Sequence, residues 1–598
     1  MRRLGTVPAL GLALATAVPA AADGLYNYRE EPADPPALEV PRDDPAARSA
    51  PAVVHVGGYV SVQVNVDAAG MNIVGDAANE PSIGVDPNDP DNLVIAWRQF
   101  DSIASNFRQA GWAYSFDRGA SWTFPGSLTP GTFRSDPVID TDSSGTFFYN
   151  SLQGDFDADV FVSFDGGVSW GAPIPAFGGD KNWMVVDRSG GIGDGNVYET
   201  WQLVGGCCGD DHFTRWAAGG AGFEQPVETA NTPTLGTMAV GPDGEVFMTG
   251  VEAFGNDFVV SRSDNAQDPS QTPTFAGSTV DLGGIFGAGL FGENPNPGGL
   301  VGQVWVATDR STGPTGGHVY VLSSVDPPSS DPQDVYIARS VDGGQTWGAP
   351  RRVNDDPENA DAWQWFGTLS VSPEGRLDVI WNDTRESLDA TRSRLYYAYS
   401  WDGGESWSDN VAVSPEFDSH VGWPNQNKIG DYYDMVSDRE GLDVAYSATF
   451  NGEQDVYYVR LFPDCNDNGV ADATDIDGGA SADLNADLVP DECQLVLGEP
   501  DPGQAGVDNE FIAEAGTPGE TVWFVFGREA GSTPVPGCDG EAIEMASPGV
   551  LGTAVVGADG RAILTVEIPG AGSGETAGFQ AVEAGTCTVS NRVLVAFP

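Results

Sequence analysis

The sequence predicts an all-β protein built from many short strands. Of its 598 residues, 78 are glycine and 42 are proline, while aromatic residues still make up 10%. This composition suits a turn-rich protein with a buried core better than it suits a disordered chain. Between residues 55 and 462, short apolar runs alternate with turns rich in Gly, Asp and Asn, which is the pattern of successive strands and hairpins.

The charge of the chain excludes two classes of partner. Lys and Arg number 27 against 87 Asp and Glu, which gives a formal net charge of −60. A surface of this sign repels nucleic acids and anionic membranes, so neither is expected as a partner. A chain of this length has room for about four domains of roughly 150 residues, although one all-β domain can be larger.

The N-terminus has the three parts of a secretory signal peptide. Two arginines precede an apolar run that ends at Val18, and small residues follow up to Ala22. We therefore expect residues 1–22 to be a signal peptide cleaved after Ala22, and the protein to be secreted. The apolar run is too short to span a bilayer, and no membrane insertion is expected. Residues 23–54, rich in proline and acidic residues, are predicted to be a linker.

An octapeptide of the form Ser-x-Asp-x-Gly-x-Ser/Thr-Trp recurs four times. Its Asp can cap turn amides, its Gly can take a positive φ, and its Trp can anchor the returning strand. The copies are SFDRGASW at 115–122, SFDGGVSW at 163–170, SVDGGQTW at 340–347 and SWDGGESW at 400–407. Degenerate copies are predicted within 213–226 and 259–275.

With these boxes the chain resembles the Asp-box (BNR-repeat) β-propellers of the sialidase superfamily. In that family the box joins the third and fourth strands of a blade, away from the active site, so the resemblance gives the boxes a structural role. Six box positions and a unit without a box at 430–461 predict seven blades for residues 55–462. The stretch 59–67 is expected to supply the last blade's fourth strand and close the ring. Six blades, usual in sialidases, are the alternative.

A second alignment of the repeat follows the innermost strand of each blade. Residues that start these strands are expected to converge on the central mouth, where propellers commonly bind ligands. The aligned positions are Glu80, Asp136, Lys181, Leu235, Gln303, Phe366 and Asp431. The candidate site residues taken from this alignment are Glu80, Asp136, Lys181, Asp431 and the neighbouring Tyr432.

Lysine usage also favours this mouth. The sequence contains only two lysines, Lys181 and Lys428, and both are expected near the strand starts. The alternative is that two lysines survive by chance in a chain whose basic residues are nearly all arginine.

The resemblance implies exo-α-sialidase activity on a glycan or glycoconjugate. The family holds the substrate carboxylate with arginines and uses an Asp acid/base and a Tyr nucleophile, because a neutral Tyr suits an anomeric centre that carries a carboxylate. The family's first-blade arginine is missing, since the matching stretch at 79–84 reads NEPSIG. Arg385 and Arg98 are either mouth arginines or ordinary loop charges, and Arg385 is taken as the sixth candidate catalytic residue. A non-catalytic propeller that binds glycans or surface partners is therefore the alternative function; the sequence does not predict the oligomeric state.

Residues 463–494 contain two loops with the ligand spacing of a hard cation. Oxygen ligands at positions 1, 3, 5, 7, 9 and 12 suit Ca²⁺. Loop one offers Asp464, Asn466, Asn468, the Val470 carbonyl, Asp472 and Asp475, and loop two offers Asp483, Asn485, Asp487, the Val489 carbonyl and Asp491. Gly469 lies at the bend of loop one, whereas loop two has Leu488 there and should bind more weakly. The pair resembles dockerin, EF-hand and thrombospondin type 3 loops, which implies Ca²⁺ as cofactor; an acidic solvated linker is the alternative.

The last segment, 495–598, alternates apolar strands with Gly and Pro turns and predicts an antiparallel β-sandwich. Six cysteines in an exported chain allow three disulfides. Cys465 and Cys493 bracket the calcium loops, and Cys538 and Cys587 lie in the sandwich. The adjacent residues 207 and 208 form either a strained vicinal bridge or an unpaired reactive pair.

Overall fold

The computed structural model describes residues 48–49, 53–203, 206–253, 256–287, 294–358, 361–387, 389–466, 468–483, 488–538, 542–558, 560–583 and 585–598. Within these ranges the chain is nearly all β, with many short strands and one short α-helix. No helix in the described ranges is long and apolar enough to cross a membrane. The predicted signal peptide, 1–22, lies outside them, as does most of the predicted linker.

Short strands begin the described chain and lead into three antiparallel sheets. The first four strands are β1 (Arg48–Ser49), β2 (Val53–Val56), β3 (Tyr59–Gln63) and β4 (Asn72–Ile73). Sheet one contains β5 (Ala77–Asp86), β6 (Asp89–Phe100), β7 (Gln109–Ser115) and β8 (Thr123–Leu128). Sheet two contains β9 (Ser135–Thr141), β10 (Phe147–Leu152), β11 (Ala158–Ser163) and β12 (Ile174–Pro175). Sheet three contains β13 (Trp183–Val186), β14 (Val197–Thr200), β15 (Asp211–Trp216) and β16 (Val227–Glu228).

Three further antiparallel sheets follow in chain order. Sheet four contains β17 (Pro233–Thr234), β18 (Met238–Val240), β19 (Val246–Glu252), β20 (Phe258–Ser263) and β21 (Ala276–Val280). Sheet five contains β22 (Ile285–Phe286), β23 (Trp305–Thr308), β24 (Val319–Asp326), β25 (Asp334–Ser340) and β26 (Arg351–Arg352). Sheet six contains β27 (Gln364–Val371), β28 (Leu377–Asp383), β29 (Arg392–Ser400), β30 (Val411–Ala412) and β31 (Phe417–Asp418).

Sheet seven joins the two ends of this region. Its strands β32 (Asp434–Ser437), β33 (Leu442–Ala448) and β34 (Asp455–Leu461) pair in order, and β3 then pairs with β34. In that pairing Val62 lies opposite Tyr458. Part of the stretch 59–67 thus supplies the fourth strand of this sheet, as expected, and β2 adds a fifth.

The inner strands of these sheets, β5, β9, β13, β18, β23, β27 and β32, stand side by side in a closed ring. Each contacts the inner strand of the next sheet, and β32 contacts β5. Hydrogen bonds join them: Ser82 Oγ donates to the Asp434 carboxylate at 2.7 Å and accepts from Ile139 N at 2.9 Å. A parallel bridge between Gly236 and Val304 shows that neighbouring inner segments run in one direction. A ring of small antiparallel sheets is consistent with a β-propeller.

A left-handed residue marks the start of each inner segment. The φ angles are 52° at Glu80, 44° at Asp136, 55° at Lys181, 60° at Leu235, 141° at Gly302, 61° at Phe366 and 105° at Gly430. This agrees with the second alignment of the sequence, except that glycines one residue before Gln303 and Asp431 hold the position. Non-glycine residues pay about 1–3 kcal/mol for such a backbone, so its recurrence reflects a constraint of the ring.

The four octapeptides form one hydrogen-bonded turn. In each, the first Ser Oγ donates to the Asp carboxylate at 2.8 Å and accepts the amide of the second Gly position. The boxes join β7 to β8, β11 to β12, β25 to β26 and β29 to β30. In the degenerate copy within 259–275, Ser263 Oγ likewise donates to Asn265 Oδ1 at 3.1 Å and accepts from Ala266 N at 3.0 Å.

Beyond the ring, α1 (Asp472–Gly478) and a 3-10 turn (Asp491–Cys493) precede the last strands. These are β35 (Val496–Leu497), β36 (Asp508–Glu514), β37 (Thr521–Gly527), β38 (Ala530–Pro534), β39 (Ala542–Met545), β40 (Gly549–Val555), β41 (Ala562–Glu567), β42 (Thr576–Glu583), β43 (Thr588–Val589) and β44 (Val593–Ala596). One sheet contains β35, β36 and β41, a second contains β37, β40, β42, β43 and β44, and β38 pairs with β39. Phe511, Phe524 and Phe579 from the first two sheets pack in one apolar core.

All six cysteines lie in pairs at disulfide distance. The pairs are Cys207 with Cys208, Cys465 with Cys493, and Cys538 with Cys587. Of the two alternatives for residues 207 and 208, the structure contains the vicinal bridge.

Asp434→Ala tests the closure of the ring. The carboxylate accepts from Ser82 Oγ at 2.7 Å and from Ile83 N at 3.1 Å, so its loss leaves donors on β5 without this acceptor. We expect the free energy of unfolding, measured by urea denaturation, to fall by about 1–3 kcal/mol. Asp434→Asn keeps an accepting oxygen and should lose less; equal losses would show that these bonds do not hold the ring together.

Candidate functional site

Charged side chains from four sheets meet where the inner strands begin. We call this set the charged cluster: Glu80 on β5, Arg98 on β6, Asp136 on β9, Lys181 before β13, and Lys428 and Asp431 before β32. The cluster therefore brings together four of the six residues predicted as catalytic, and it contains both lysines of the chain.

Asp431 is the centre of the cluster. Its Oδ2 accepts from Lys181 Nζ and, at 2.6 Å, from Lys428 Nζ, while its Oδ1 accepts from Leu300 N at 2.8 Å. Burial opposes the charge of this carboxylate, but the two ammonium groups and Arg98 hold the pKa of Asp431 well below its usual range. Asp431 therefore stays ionised.

The pKa of Glu80 shifts in the opposite direction to that of Asp431. Its carboxyl group lies 2.9 Å from Arg98 Nε and 3.2 Å from Lys428 Nζ, and the side chain is completely buried. Burial raises the pKa of Glu80 to about 7, against the opposing charges of Arg98 and Lys428. The group can therefore hold a proton near neutral pH.

Asp136 is a second ionised carboxylate. It accepts from Ser135 Oγ at 2.8 Å and from Lys181 N at 2.9 Å, and Lys181 Nζ lies 3.9 Å away. Burial works against ionisation, yet the charges of Lys181 and Arg98 lower the pKa of Asp136. The left-handed backbone at Asp136 accompanies these contacts with Lys181.

The two lysines are the most exposed members of the cluster, at 11% for Lys181 and 13% for Lys428. Burial disfavours the Lys181 ammonium, but Asp136 and Asp431 raise its pKa well above the ordinary value. For Lys428 the effect of burial is larger than that of the nearby carboxylates, so its pKa is lowered despite the charges of Asp431 and Glu80. The lysines cover the carboxyl groups and separate them from solvent.

A chain of amide side chains holds the cluster in place. Arg98 Nε donates to Asn79 Oδ1 at 2.9 Å, and Asn79 Nδ2 donates to Gln454 Oε1 at 2.9 Å. Gln454 Nε2 then donates to the Lys428 carbonyl at 2.9 Å. These bonds fix the segment that carries Lys428 against sheet one.

Two neighbouring charges were missed by the sequence reasoning. Asp180 Oδ1 lies 3.8 Å from Lys181 Nζ, and Arg108 Nε donates to Ser135 Oγ at 3.1 Å. Arg108 lies in the loop between β6 and β7. Neither alignment of the repeat includes this loop, so the repeat did not indicate Arg108. The only available indication for Asp180 was its place next to one of the two lysines.

Tyr432 lies beneath the cluster rather than in it. Its side chain is 2% exposed, its hydroxyl donates to the Pro137 carbonyl at 2.8 Å, and its ring packs edge-on against Trp183 at 5.4 Å. Burial raises the pKa of the Tyr432 hydroxyl well above its usual value. In this arrangement the hydroxyl joins sheet seven to sheet two.

Arg385 belongs to a different group of charges. Its guanidinium pairs with Asp383 at 2.8 Å and with Asp355, and it stacks on the Tyr396 ring at 4.6 Å. The structure does not bring it to the charged cluster. Arg98, the other arginine considered from the sequence, is a member.

The first of the two loops predicted to bind calcium bends at Gly469. Gly469, at φ 80°, donates its amide to Asp464 Oδ2 at 2.8 Å, and Asn468 N donates to Asp464 Oδ1 at 3.0 Å. Asn468 Nδ2 also reaches Asp475 Oδ2 at 2.6 Å. Asp472 and Asp475 lie on α1; Asn466 and Val470 lie in the turn before it.

The second loop repeats this turn at its bend. Leu488, at φ 68°, donates its amide to Asp483 Oδ2 at 3.1 Å. Val489 and Asp491 follow, while the predicted ligands Asn485 and Asp487 lie outside the described residues. Among the described residues, no three His, Cys, Asp or Glu side chains converge as a metal-holding group.

No protein-family model and no curated protein matches the sequence. Solved structures do match, at low identity. Trypanosoma rangeli sialidase with 2,3-difluorosialic acid is 11% identical, covering 89% of this chain and 88% of that one at a TM-score of 0.36. The GH93 α-L-arabinofuranosidase of Fusarium graminearum is 13% identical, covering 64% and 93% at 0.34. Kuenenia stuttgartiensis hydrazine synthase is 12% identical, covering 64% and 96% at 0.40. Similarity of this degree does not bear on substrate or mechanism.

Lys181→Met tests whether the cluster is one coupled unit. The variant removes the cation between Asp136 and Asp431 and leaves buried negative charge uncompensated, so we expect the free energy of unfolding to fall by about 3–5 kcal/mol. Guanidinium denaturation measures the change. Arg392→Met, which breaks an exposed pair 3.6 Å from Glu416, should cost less than about 1 kcal/mol. Similar losses in both variants would contradict the coupling.

Proposed function

We propose that the charged cluster acts on glycans as a glycoside hydrolase site. The observation that supports this most is the pair Glu80 and Asp431. Both contact Lys428 Nζ, at 3.2 and 2.6 Å, yet burial raises the pKa of Glu80 to about 7 while the pKa of Asp431 is held well below its usual range. A protonated carboxyl group beside an ionised one is the pair that glycoside hydrolysis uses.

The proposal gives the two groups separate roles. Glu80 donates its proton to the glycosidic oxygen as the bond from that oxygen to the anomeric carbon breaks, and Asp431 attacks the carbon. Water, deprotonated by Glu80, then displaces Asp431, which releases the sugar and restores both groups. Because both oxygens contact one ammonium group, they are at most about 6 Å apart, nearer to the ~5–5.5 Å of retaining glycosidases than to the ~6.5–9.5 Å of inverting ones. An ammonium has three N–H donors, so Lys428 keeps one for a substrate oxygen.

The finer proposal of exo-α-sialidase activity has weaker support. An anomeric centre that carries a carboxylate calls for a neutral nucleophile, and the Tyr432 hydroxyl is buried and donates to Pro137. A carboxylate nucleophile suits a glycoside without that charge. Neutral glycosides are therefore the proposed substrates, and α-sialosides are the alternative to be tested beside them.

A non-catalytic glycan-binding propeller is the second candidate. It is favoured by the burial of the carboxyl groups, because Glu80 is 0% and Asp431 2% exposed and both lie under lysines. Catalysis requires a substrate to displace Lys181 or Lys428 from Asp431, whereas binding requires only contact with the partly exposed lysine side chains.

Glu80→Gln tests the catalytic proposal on a panel of fluorogenic neutral glycosides and α-sialosides. The wild-type rate should fall as pH rises through about 7, since Glu80 acts in its protonated form and loses the proton there. The variant should lose roughly 10²–10⁴-fold in rate on poor leaving groups. It should keep most activity on dinitrophenyl glycosides, which need no proton.

Glu416→Gln is the matched control, because Glu416 is 40% exposed and pairs only loosely with Arg392. It should turn over every substrate as the wild type does. Absence of hydrolysis by the wild type, with retained binding on a glycan array, would contradict the enzyme and support the binding propeller. Turnover that Glu80→Gln leaves unchanged would place the chemistry elsewhere.

We also propose the domain organisation expected from the sequence. The seven sheets are proposed to be the blades of a seven-bladed propeller over 55–462, supported by their closed ring of inner strands; merging sheets to reach six blades has no support in that pairing. The segments 463–494 and 495–598 are proposed as a calcium-loop pair and a β-sandwich. Paired cysteines support the proposed export of the protein.

Calcium binding by the loop pair is a further part of the proposal. The oxygen-only donor set and the left-handed bends at Gly469 and Leu488 fit a hard cation. Loop one would hold Ca²⁺ through Asp464, Asn466, Asn468, Val470, Asp472 and Asp475. The bound cation would neutralise the acidic loop and fix its path between Cys465 and Cys493.

Calcium should protect the loop pair from proteolysis. Binding to the folded state alone stabilises it by about 2.7 kcal/mol at a hundredfold excess over Kd, so cleavage within 463–494 should slow when Ca²⁺ is added. Asp464→Ala with Asp472→Ala should abolish this protection, and Asp483→Ala should weaken it only in part. Equal cleavage with calcium and with a chelator would identify the segment as an acidic linker.

A further inference from the structure

A cavity of about 670 Å³ lies at the opposite end of the inner strands from the charged cluster. β5 carries Glu80 near its start and ends at Asp86, which lines this cavity, so the two places are about 20 Å apart along the strands. We call it the far cavity. Four arginines line it, Arg118, Arg188, Arg310 and Arg439, and so do four carboxylates, Asp86, Asp438, Glu440 and Asp443.

Three of these arginines come from one repeated turn. The inner segments of sheets three, five and seven end in Asp-Arg, at 187–188, 309–310 and 438–439. In each turn the Asp Oδ1 accepts the backbone amide two residues on, at 2.8, 2.8 and 2.9 Å. The capped turn holds the intervening arginine at the rim of the cavity, so the ring presents three arginines by the same device.

The fourth arginine, Arg118, has a backbone conformation that favours glycine. Arg118 has a φ of 53°, whereas the matching position in the other three octapeptides is glycine, with φ of 75°, 71° and 73° at Gly166, Gly343 and Gly403. A side chain at this backbone costs about 1–3 kcal/mol. Its guanidinium pairs with Asp438 at 2.7 Å.

Arg310 and Arg188 have the least compensated charges. Among the described residues, no carboxylate lies within ion-pair distance of Arg310, whose one hydrogen bond goes to the Arg188 carbonyl. Arg188 pairs with Asp140 at 3.2 Å and is 30% exposed. Partial burial, and then the charge of Arg188, lower the pKa of the Arg310 guanidinium. The charges of Asp187, Asp140 and Asp194 raise this pKa, but among the described residues only Asp140 of the three makes an ion pair with either arginine.

We propose that the far cavity binds a sulfate or phosphate group, free or as an ester on a saccharide, between Arg188 and Arg310. Planar guanidinium groups donate paired hydrogen bonds to such oxygens, and the bound anion would give Arg310 the ion-pair partner that it lacks among the described residues. The volume falls within the ~300–1,000 Å³ of small-molecule sites, so it accommodates more than the bare anion. The proposal is independent of catalysis at the charged cluster.

Calorimetry of the full chain at constant ionic strength tests this site with sodium sulfate, glucose 6-sulfate and glucose. Both sulfated probes should bind and glucose should not. Arg310→Gln and Arg188→Gln should each weaken binding at least tenfold, and Arg310→Glu should abolish it. Arg392→Gln, at an exposed arginine paired with Glu416, should bind within twofold of the wild type.

The outcomes separate the two sources of the anion. Tighter binding of glucose 6-sulfate supports a saccharide ester, and equal binding supports the free anion. Absence of binding by the wild type at millimolar concentration overturns the site, as does binding that Arg310→Gln and Arg310→Glu leave unchanged. The Arg310 side chain is exposed, so unchanged circular dichroism and melting temperature in its variants will show that a loss of binding is not unfolding.

Discussion

Closure of the ring is the constraint on which the other features depend. β3 and β34 pair across almost the whole length of the region, with Val62 opposite Tyr458, and Asp434 joins the last inner strand to Ser82 of the first. An open row of sheets would leave two unpaired edges, which invite aggregation. Because both ends of the region must be present before the last sheet is complete, contacts of very long sequence separation are required, and such contacts slow folding.

The same closure assembles the candidate site. No single sheet contains the charged cluster: Glu80, Asp136, Lys181 and Asp431 come from sheets one, two, three and seven, which only the closed ring brings together. The left-handed residues at the strand starts turn these side chains inward. Backbone strain therefore recurs at this end of the inner strands, and strained residues often accompany function.

Much of the fold could be predicted because its information is local and repeated. The octapeptide turn and the strand starts are short patterns, and their recurrence gave the order of the sheets and four of six candidate residues. The sequence did not predict that Tyr432 lies beneath the cluster or that Arg385 lies outside it. The side of a strand on which a residue such as Tyr432 lies, and the direction of a loop side chain such as Arg385, depend on packing between sheets. Arg108 and Asp180 lie outside the repeat. The pKa of Glu80 is raised and that of Asp431 is lowered. This difference depends on burial, which cannot be predicted from the spacing of residues in the sequence.

The direction of the last strands determines what the rest of the chain can reach. β34 ends at Leu461, opposite Leu442 and thus at the same end of the ring as the far cavity, and Asp477 of α1 pairs there with Arg439. The C-terminal segments therefore leave from the face opposite the charged cluster. If those segments tether the molecule to a surface or a larger assembly, the ring is held by its base. The partly exposed Lys181 and Lys428 then lie on the face away from the tether, so the tether does not compete with ligands for access to the cluster.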